Sequence, residues 1–245
     1  MLQPADWIVP DWPVPARVRA LITSRNGGTS RGPYASMNLG QRVNDDPVAV
    51  ASNRRLLRQF LPDEPRWLEQ VHGNAVVAAE TISAPVLADA SVATTPGCVS
   101  VIMVADCLPV LFAERRGGAV AAAHAGWRGL AAGVIENTVQ ALGVPARDLL
   151  AYLGPAIGPV AFEVGDEVRA AFVSADPAAA LAFEPHKPGK WLADLFLLAR
   201  QRLAAAGVTS VYGGGQCTYS DPARYFSHRR DKVSGRMAAL VWLED

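Results

Sequence analysis

Residues 17–23 alternate so that Val18, Ala20 and Ile22 share one side, which predicts a strand. Asp46 and Pro47 supply an N-cap and a first-turn proline for a helix to about residue 61, with Val50, Leu57 and Leu61 as its apolar stripe. At 100° per residue Arg54 projects into that stripe, so it needs an anionic partner, a wet cavity or an internal carboxylate. The stretch 97–129 is richest in signal. Residues 99–104 and 108–113 read as buried strands, 114–118 (ERRGG) as a hairpin-length turn, and 119–124 as a third strand of small residues. An amphipathic helix is predicted over 128–142, with Ala131, Ile135 and Leu142 inward and Gly143 ending it. Further helices are expected over 165–173 and 192–205, and late strands over 208–212 and 237–243.

The segment joining the first strand and helix, SRNGGTSRGPYASMNLG (residues 24–40), is turn-rich and long for a connector. It reads either as a functional loop or as a plain surface excursion. No repeat, low-complexity run or linker interrupts the chain. Mixed strands and helices over 245 residues therefore predict one α/β (mixed α+β) domain, residues 1–245, with mixed β-sheets flanked by helices.

Composition narrows the function classes. Half the residues are hydrophobic and 19% are charged, enough apolar material for a packed core. Lys+Arg 23 balances Asp+Glu 23, without the basic excess that nucleic acid or an anionic membrane surface demands, so neither partner is expected. The opening MLQPADWIVPDWPVP has neither the basic nor the apolar segment of a leader, and the longest apolar stretch, 99–113, is interrupted by Asp106 and Pro109. Three cysteines, at 98, 107 and 217, form no CxxC pair and suit a reducing cytoplasm better than a disulfide framework.

The four histidines can be weighed singly. His72 (EQVHGN), Cys107 (ADCLP) and His124 (before AGWRG) all lie at element ends, where a rigid scaffold places working side chains. Two imidazoles and a thiolate make a competent Zn²⁺ set with a fourth position open; the alternative is a buried cysteine and two hydrogen-bonded histidines. Asp106 breaks an apolar run and either orients a ligand histidine or caps a turn. Arg128 opens a helix, where a guanidinium and free N–H groups suit an anion. FSHRRDKVSGR concentrates Arg229, Arg230, Lys232 and Arg236 in an otherwise balanced chain, as an anion contact or a solvated turn. His186 sits in a polar loop and is expected to be exposed.

Taken in order, GGTSRGPYASMNLG, QVHGN, DASVATTPG, ADCLP, HAGWRG, LGPAIGP with FEVGDEV, and FSHRRDKVSGR resemble the YfiH-type purine nucleoside phosphorylase family, also described as laccase-domain, polyphenol-oxidase-like or peptidoglycan editing factor proteins. The likeness runs from about residue 24 to the C-terminus. It implies a catalytic zinc held by His72, Cys107 and His124, with Cys107, His124 and Asp106 as the catalytic group. It implies phosphorolysis of adenosine, inosine, guanosine and methylthioadenosine, with adenosine deamination as a second activity. Arg54, Arg128, Arg229, Arg230 and Asn38 are then the expected substrate and phosphate contacts, in a cytoplasmic monomer or weak homo-oligomer.

Two departures and two rivals accompany that resemblance. His228 stands where an aromatic residue is expected, and the HxE…PCxxC signature of zinc nucleobase deaminases is absent. Copper and phenol oxidation belong to the family's names, yet four histidines without HxH pairs are too few for a multicopper cluster. A Cys107–His124 hydrolase needs no metal and leaves His72 without a role. An editing factor acting on peptidoglycan precursors would use the same basic residues on its substrate's phosphates and carboxylates.

Overall fold

The computed structural model describes residues 6–245; the first five residues of the leader and domain readings lie outside it. In chain order the strands are β1 (Val18–Ile22), β2 (Val76–Ala78), β3 (Ala90–Ala93), β4 (Ser100–Val104), β5 (Leu108–Glu114), β6 (Val120–Ala125), β7 (Leu149–Leu153), β8 (Glu163–Gly165), β9 (Phe183–Lys187), β10 (Lys190–Ala193), β11 (Ser210–Gly213) and β12 (Met237–Leu243). The helices are α1 (Pro47–Arg58), α2 (Trp127–Ala131), α3 (Val134–Ala141), α4 (Asp166–Val173), α5 (Leu195–Ala205) and the single-turn α6 (His228–Asp231). No helix among them is long and apolar enough to cross a membrane.

Three sheets result. A mixed six-stranded sheet runs β11-β7-β5-β6-β3-β2, an antiparallel three-stranded sheet runs β1-β12-β4, and a small sheet runs β8-β10-β9. Strand periodicity explains how they stack. In β5, Val110 and Phe112 join the apolar cluster beneath α3 and α5, while Leu111 and Ala113 join the cluster facing β1, β4 and β12. In β12, Ala239 and Val241 point to that shared cluster, while Ala238, Leu240 and Trp242 point outward to Leu57 of α1, Met37 and Trp67. The order of layers is therefore α1, the β1-β12-β4 sheet, the six-stranded sheet, and helices α3 and α5.

The expected mixed α/β class holds. The predicted helix over 128–142 is two helices: Gly133, at φ 93, breaks it between α2 and α3. The helix expected from 192 begins at Leu195, capped by Asp194, because residues up to Ala193 pair as β10. α1 conforms: Asp46 accepts from Val48 N–H, and Pro47 occupies the first turn. The long segment after β1 is pinned from α1 by the buried Asn53, which donates to Ser30 Oγ, Ser36 O and Asn38 O.

Candidate active site

β5 and β6 set the first part of the geometry. Their antiparallel register pairs Leu108 with Ala125 and Pro109 with His124, which brings Cys107 and His124 to one edge of the large sheet. His72 arrives on a separate segment and takes φ 60, a left-handed conformation uncommon outside glycine. The potential ligand atoms of His72, Cys107 and His124 lie within 4.8 Å of one another; His124 is buried, Cys107 partly buried and His72 exposed.

The constraint on His72 is Asp89, just before β3. Its Oδ1 accepts from His72 N–H at 2.9 Å and its Oδ2 from Gly73 N–H at 2.7 Å. The same Oδ1 lies 2.7 Å from His124 Nδ1, which leaves Nε2 of that ring for the cluster. One fully buried carboxylate thus holds the backbone of one histidine and the ring of the other. Burial acts to raise the Asp89 carboxyl, and these hydrogen bonds hold it below its ordinary value. Burial also works against the Cys107 thiolate, but the rings of His124 and His72 outweigh it and draw the thiol well below the usual range. For His124 burial favours neutrality, and the Cys107 sulfur and Asp89 reverse it, pushing the imidazole up.

Gly126 completes the cradle. A Cβ there would stand 2.8 Å from Cys107 Sγ and 3.3 Å from His72 Cδ2, so the donors close only around a glycine. The cluster lies in a cavity of about 700 Å³, lined also by Arg54, Trp67, Gln70, Met103, Arg128, Phe162, His228, Arg229, Lys232 and Arg236. Of the predicted anion contacts, Arg54, Arg128 and Arg229 line it. Arg54 lies over the Trp67 ring at 3.8 Å and donates to Leu39 O. Arg128 lies over Trp127, and Arg229 donates to Glu163 O.

Asn38 and Arg230 fall outside the lining. Asn38 is fully buried, donates to Asp45 and accepts from Gly40 and Arg236 N–H groups. Arg230 is consumed by Asp231 and by the carbonyls of Thr218, Tyr219 and Tyr225. Asp106 does line the cavity, at φ 86, but it bonds no histidine; it accepts from the Thr218 hydroxyl and from Arg229 N–H, tying α6 to the segment that carries Cys107. His186 is exposed, as expected, beside Glu163 and away from the cavity lining.

Sequence reasoning missed Asp89 as the group that orients the histidines. It also missed Gln70, whose amide accepts from Met103 N–H at 2.7 Å and donates to Met103 O at 2.8 Å. That pairing fastens the His72 segment to β4 as another strand would.

Comparison with known proteins shows what the whole chain is similar to. The family model described as multi-copper polyphenol oxidoreductase laccase matches residues 19–244. A purine nucleoside phosphorylase of Pseudomonas aeruginosa is 59% identical over 98% of this chain and 99% of its own length. The purine nucleoside phosphorylase YfiH of Escherichia coli is 53% identical over 96% and 98%. Among solved structures, a Neisseria meningitidis protein superposes with a TM-score of 0.95 at 51% identity, covering 98% of this chain and 100% of that one. YlmD from Geobacillus stearothermophilus superposes with a TM-score of 0.91 at 33% identity, covering 100% and 98%.

Proposed function

This chain belongs to the family described as multi-copper polyphenol oxidoreductase laccase, and within it we propose that it acts as a zinc-dependent purine nucleoside phosphorylase, with His72, Cys107 and His124 as the metal ligands. The observation that carries the reading is a His–Cys–His donor set lining a cavity walled by arginines. Two imidazoles and a thiolate suit Zn²⁺, and the close fit of Gly126 with the Asp89 hydrogen bond supports a metal cradle rather than a chance grouping. That cluster is the one group of three such donors among the described residues, which does not suffice for several coppers. Bound there, zinc supplies Lewis-acid charge near the reacting centre.

The chain's own residues do the rest. Phosphorolysis breaks the bond from ribose C1′ to the purine as an oxygen of hydrogen phosphate bonds C1′, and the purine leaves with the proton the phosphate gives up. Arg54, Arg128 and Arg229 hold and neutralise the phosphate. The partly apolar walls, with Trp67, Met103 and Phe162, suit a purine and limit water. Adenosine, inosine, guanosine and methylthioadenosine are the substrates to screen. Adenosine deamination finds less support: the lining carboxylates, Glu69 and Asp106, are engaged by Arg42 and by Thr218 with Arg229.

One observation favours a second reading. Cys107, His124 and Asp89 are arranged as nucleophile, base and orienting carboxylate, the order a cysteine hydrolase needs. The experiment that separates the two is metal analysis of protein purified without added metal, then a nucleoside-plus-phosphate product screen on wild type and Cys107→Ala. The phosphorylase reading expects Cys107→Ala to lose both zinc and activity, and Arg54→Ala and Arg128→Ala to keep zinc while phosphate use falls about ten- to hundred-fold in kcat/KM. Full phosphorolysis by metal-stripped wild type, or a covalent adduct at Cys107 during turnover, overturns it.

A further inference from the structure

The cavity carries far more positive charge than its carboxylates can answer. Glu69 is taken by Arg42, and Asp106 by the Thr218 hydroxyl and a backbone N–H. Among the described residues no carboxylate forms an ion pair with Arg54 or Arg236, both of which are partly buried and line the cavity. The Cys107 sulfur and Asp106 act on Arg236 from a distance, but neither forms an ion pair or hydrogen bond with it. Taking a guanidinium out of water without a paired anion is costly, so two together point to an anion that is not part of the chain.

Strand register brings Arg236 to the site. The β12–β4 ladder ends where Met237 pairs with Val104, so Arg236 stands just beyond the end of β4 that leads to Cys107, with its backbone held by Asn38 and Leu39. Its Nη1 donates to Ser234 O, Ser234 Oγ and Gly235 O, which fixes one prong of the fork. Its Nε and Nη2 have no hydrogen-bond partner among the described residues, nor does Nη1 of Arg54. Both side chains meet the same turn: Arg54 Nε donates to Leu39 O at 3.0 Å, and a Cβ at Gly40 would stand 2.8 Å from Arg236 Cγ. Arg54 also reaches Met103 Sδ, so the two guanidiniums flank the end of β4 that leads to Cys107.

We propose that Arg236 and Arg54 form a two-arginine clamp for inorganic phosphate, the co-substrate of the reaction proposed above. The clamp rests on that reading for the identity of the anion. A phosphate offers enough oxygens for both forks at once, and fork-to-phosphate geometry favours arginine over lysine. Burial lowers both guanidiniums from their ordinary values, Arg54 to about 10, so each gains from an approaching anion while remaining charged near neutrality.

The test measures steady-state kinetics with phosphate and a purine nucleoside varied separately, and calorimetric titration of inorganic phosphate into the metal-loaded protein without nucleoside. Arg236→Met is expected to raise KM for phosphate about ten- to hundred-fold, leaving KM for nucleoside and zinc content near wild type, with a modest fall in melting temperature from its lost bonds to Ser234 and Gly235. Arg236→Lys should recover part of the loss, and Arg116→Met, in the exposed β5–β6 turn, should change nothing. Should Arg236→Met not fold, Arg236→Lys and Arg54→Met carry the same comparison. A phosphate KM within twofold of wild type overturns the clamp, as does an equal loss for both substrates with zinc depletion, which would make Arg236 only a counter-charge to Cys107. If wild type turns over no purine nucleoside but its phosphate binding disappears in Arg236→Met, the phosphorylase reading falls and the clamp stands.

Discussion

At Gly126 one methyl group decides whether the donor cluster closes. A Cβ 2.8 Å from Cys107 Sγ must displace the sulfur or the backbone, at a cost of about 1–3 kcal/mol for overpacking. Gly126→Ala is therefore expected to weaken zinc retention in a chelator competition while the protein still folds cooperatively; unchanged retention would show that the donors have slack. Asp89 permits a sharper comparison. Asn keeps its shape but turns an NH₂ toward groups that are themselves donors, so Asp89→Asn should cost about 1.5–3 kcal/mol of folding stability and about ten- to hundred-fold in zinc affinity. The contrast between these residues explains what was legible. His72, Cys107 and His124 are scarce residue types at element ends, visible in one dimension. Asp89 acts through backbone groups 16 to 18 positions away and a ring 35 positions on, and no local pattern marks it. Likewise, a run of arginines does not reveal that Arg230 spends its fork on carbonyls while Arg236 faces the cavity.

Between α2 and α3 the element scale shows where pattern reading fails. The apolar rows continue across Gly133, so periodicity predicts one helix; φ 93 at that glycine divides it in two. No neighbour crowds a Cβ there, so Gly133→Ala tests backbone strain alone and should lower stability by about 1 kcal/mol in urea titration. β1, β4, β5, β6 and β12 were readable from alternation or apolar runs with turn signals. β7 (LLAYL) was not: like β5 and β12 it is buried on both faces, and an apolar run of only five residues carries no alternation to set it apart from a buried helix segment. The turn after β3 carries a pH dependence of its own. Glu80 accepts from Thr94 and Thr95 N–H at 2.6 and 3.0 Å, and although burial acts to raise its carboxyl, these bonds hold it below the ordinary 4.5. A lowered folded-state value means stability fully present above 4.5 and lost as pH falls through the lower value. Glu80→Gln should therefore be less stable than wild type at neutral pH, with the gap closing in acid; a gap independent of pH would assign the loss to packing.

Across the whole molecule, the candidate site gathers segments from different layers. His72 stands on a connection tied to β4 by Gln70 and to the large sheet by Asp89, Cys107 links the two sheets, and His124 ends a strand of the large one. An unfolded chain holds these donors tens of residues apart, so a metal bound by all three binds the native state and hardly the unfolded one. Linkage then makes zinc a stabiliser of the entire fold, by about 2.7 kcal/mol when free metal is 100 times its dissociation constant. For a chain of 245 residues that corresponds to a rise of about 5–10 °C in melting temperature over the chelated protein. Cys107→Ala and His72→Ala should each lose most of this zinc-dependent rise while melting near the chelated wild type, because His72 is exposed and Cys107 only partly buried. His124→Ala should also lower the metal-free melting temperature, since it leaves a buried Asp89 without its ring partner. A zinc-dependent rise that survives in all three variants would place the metal elsewhere and return Cys107, His124 and Asp89 to the hydrolase reading.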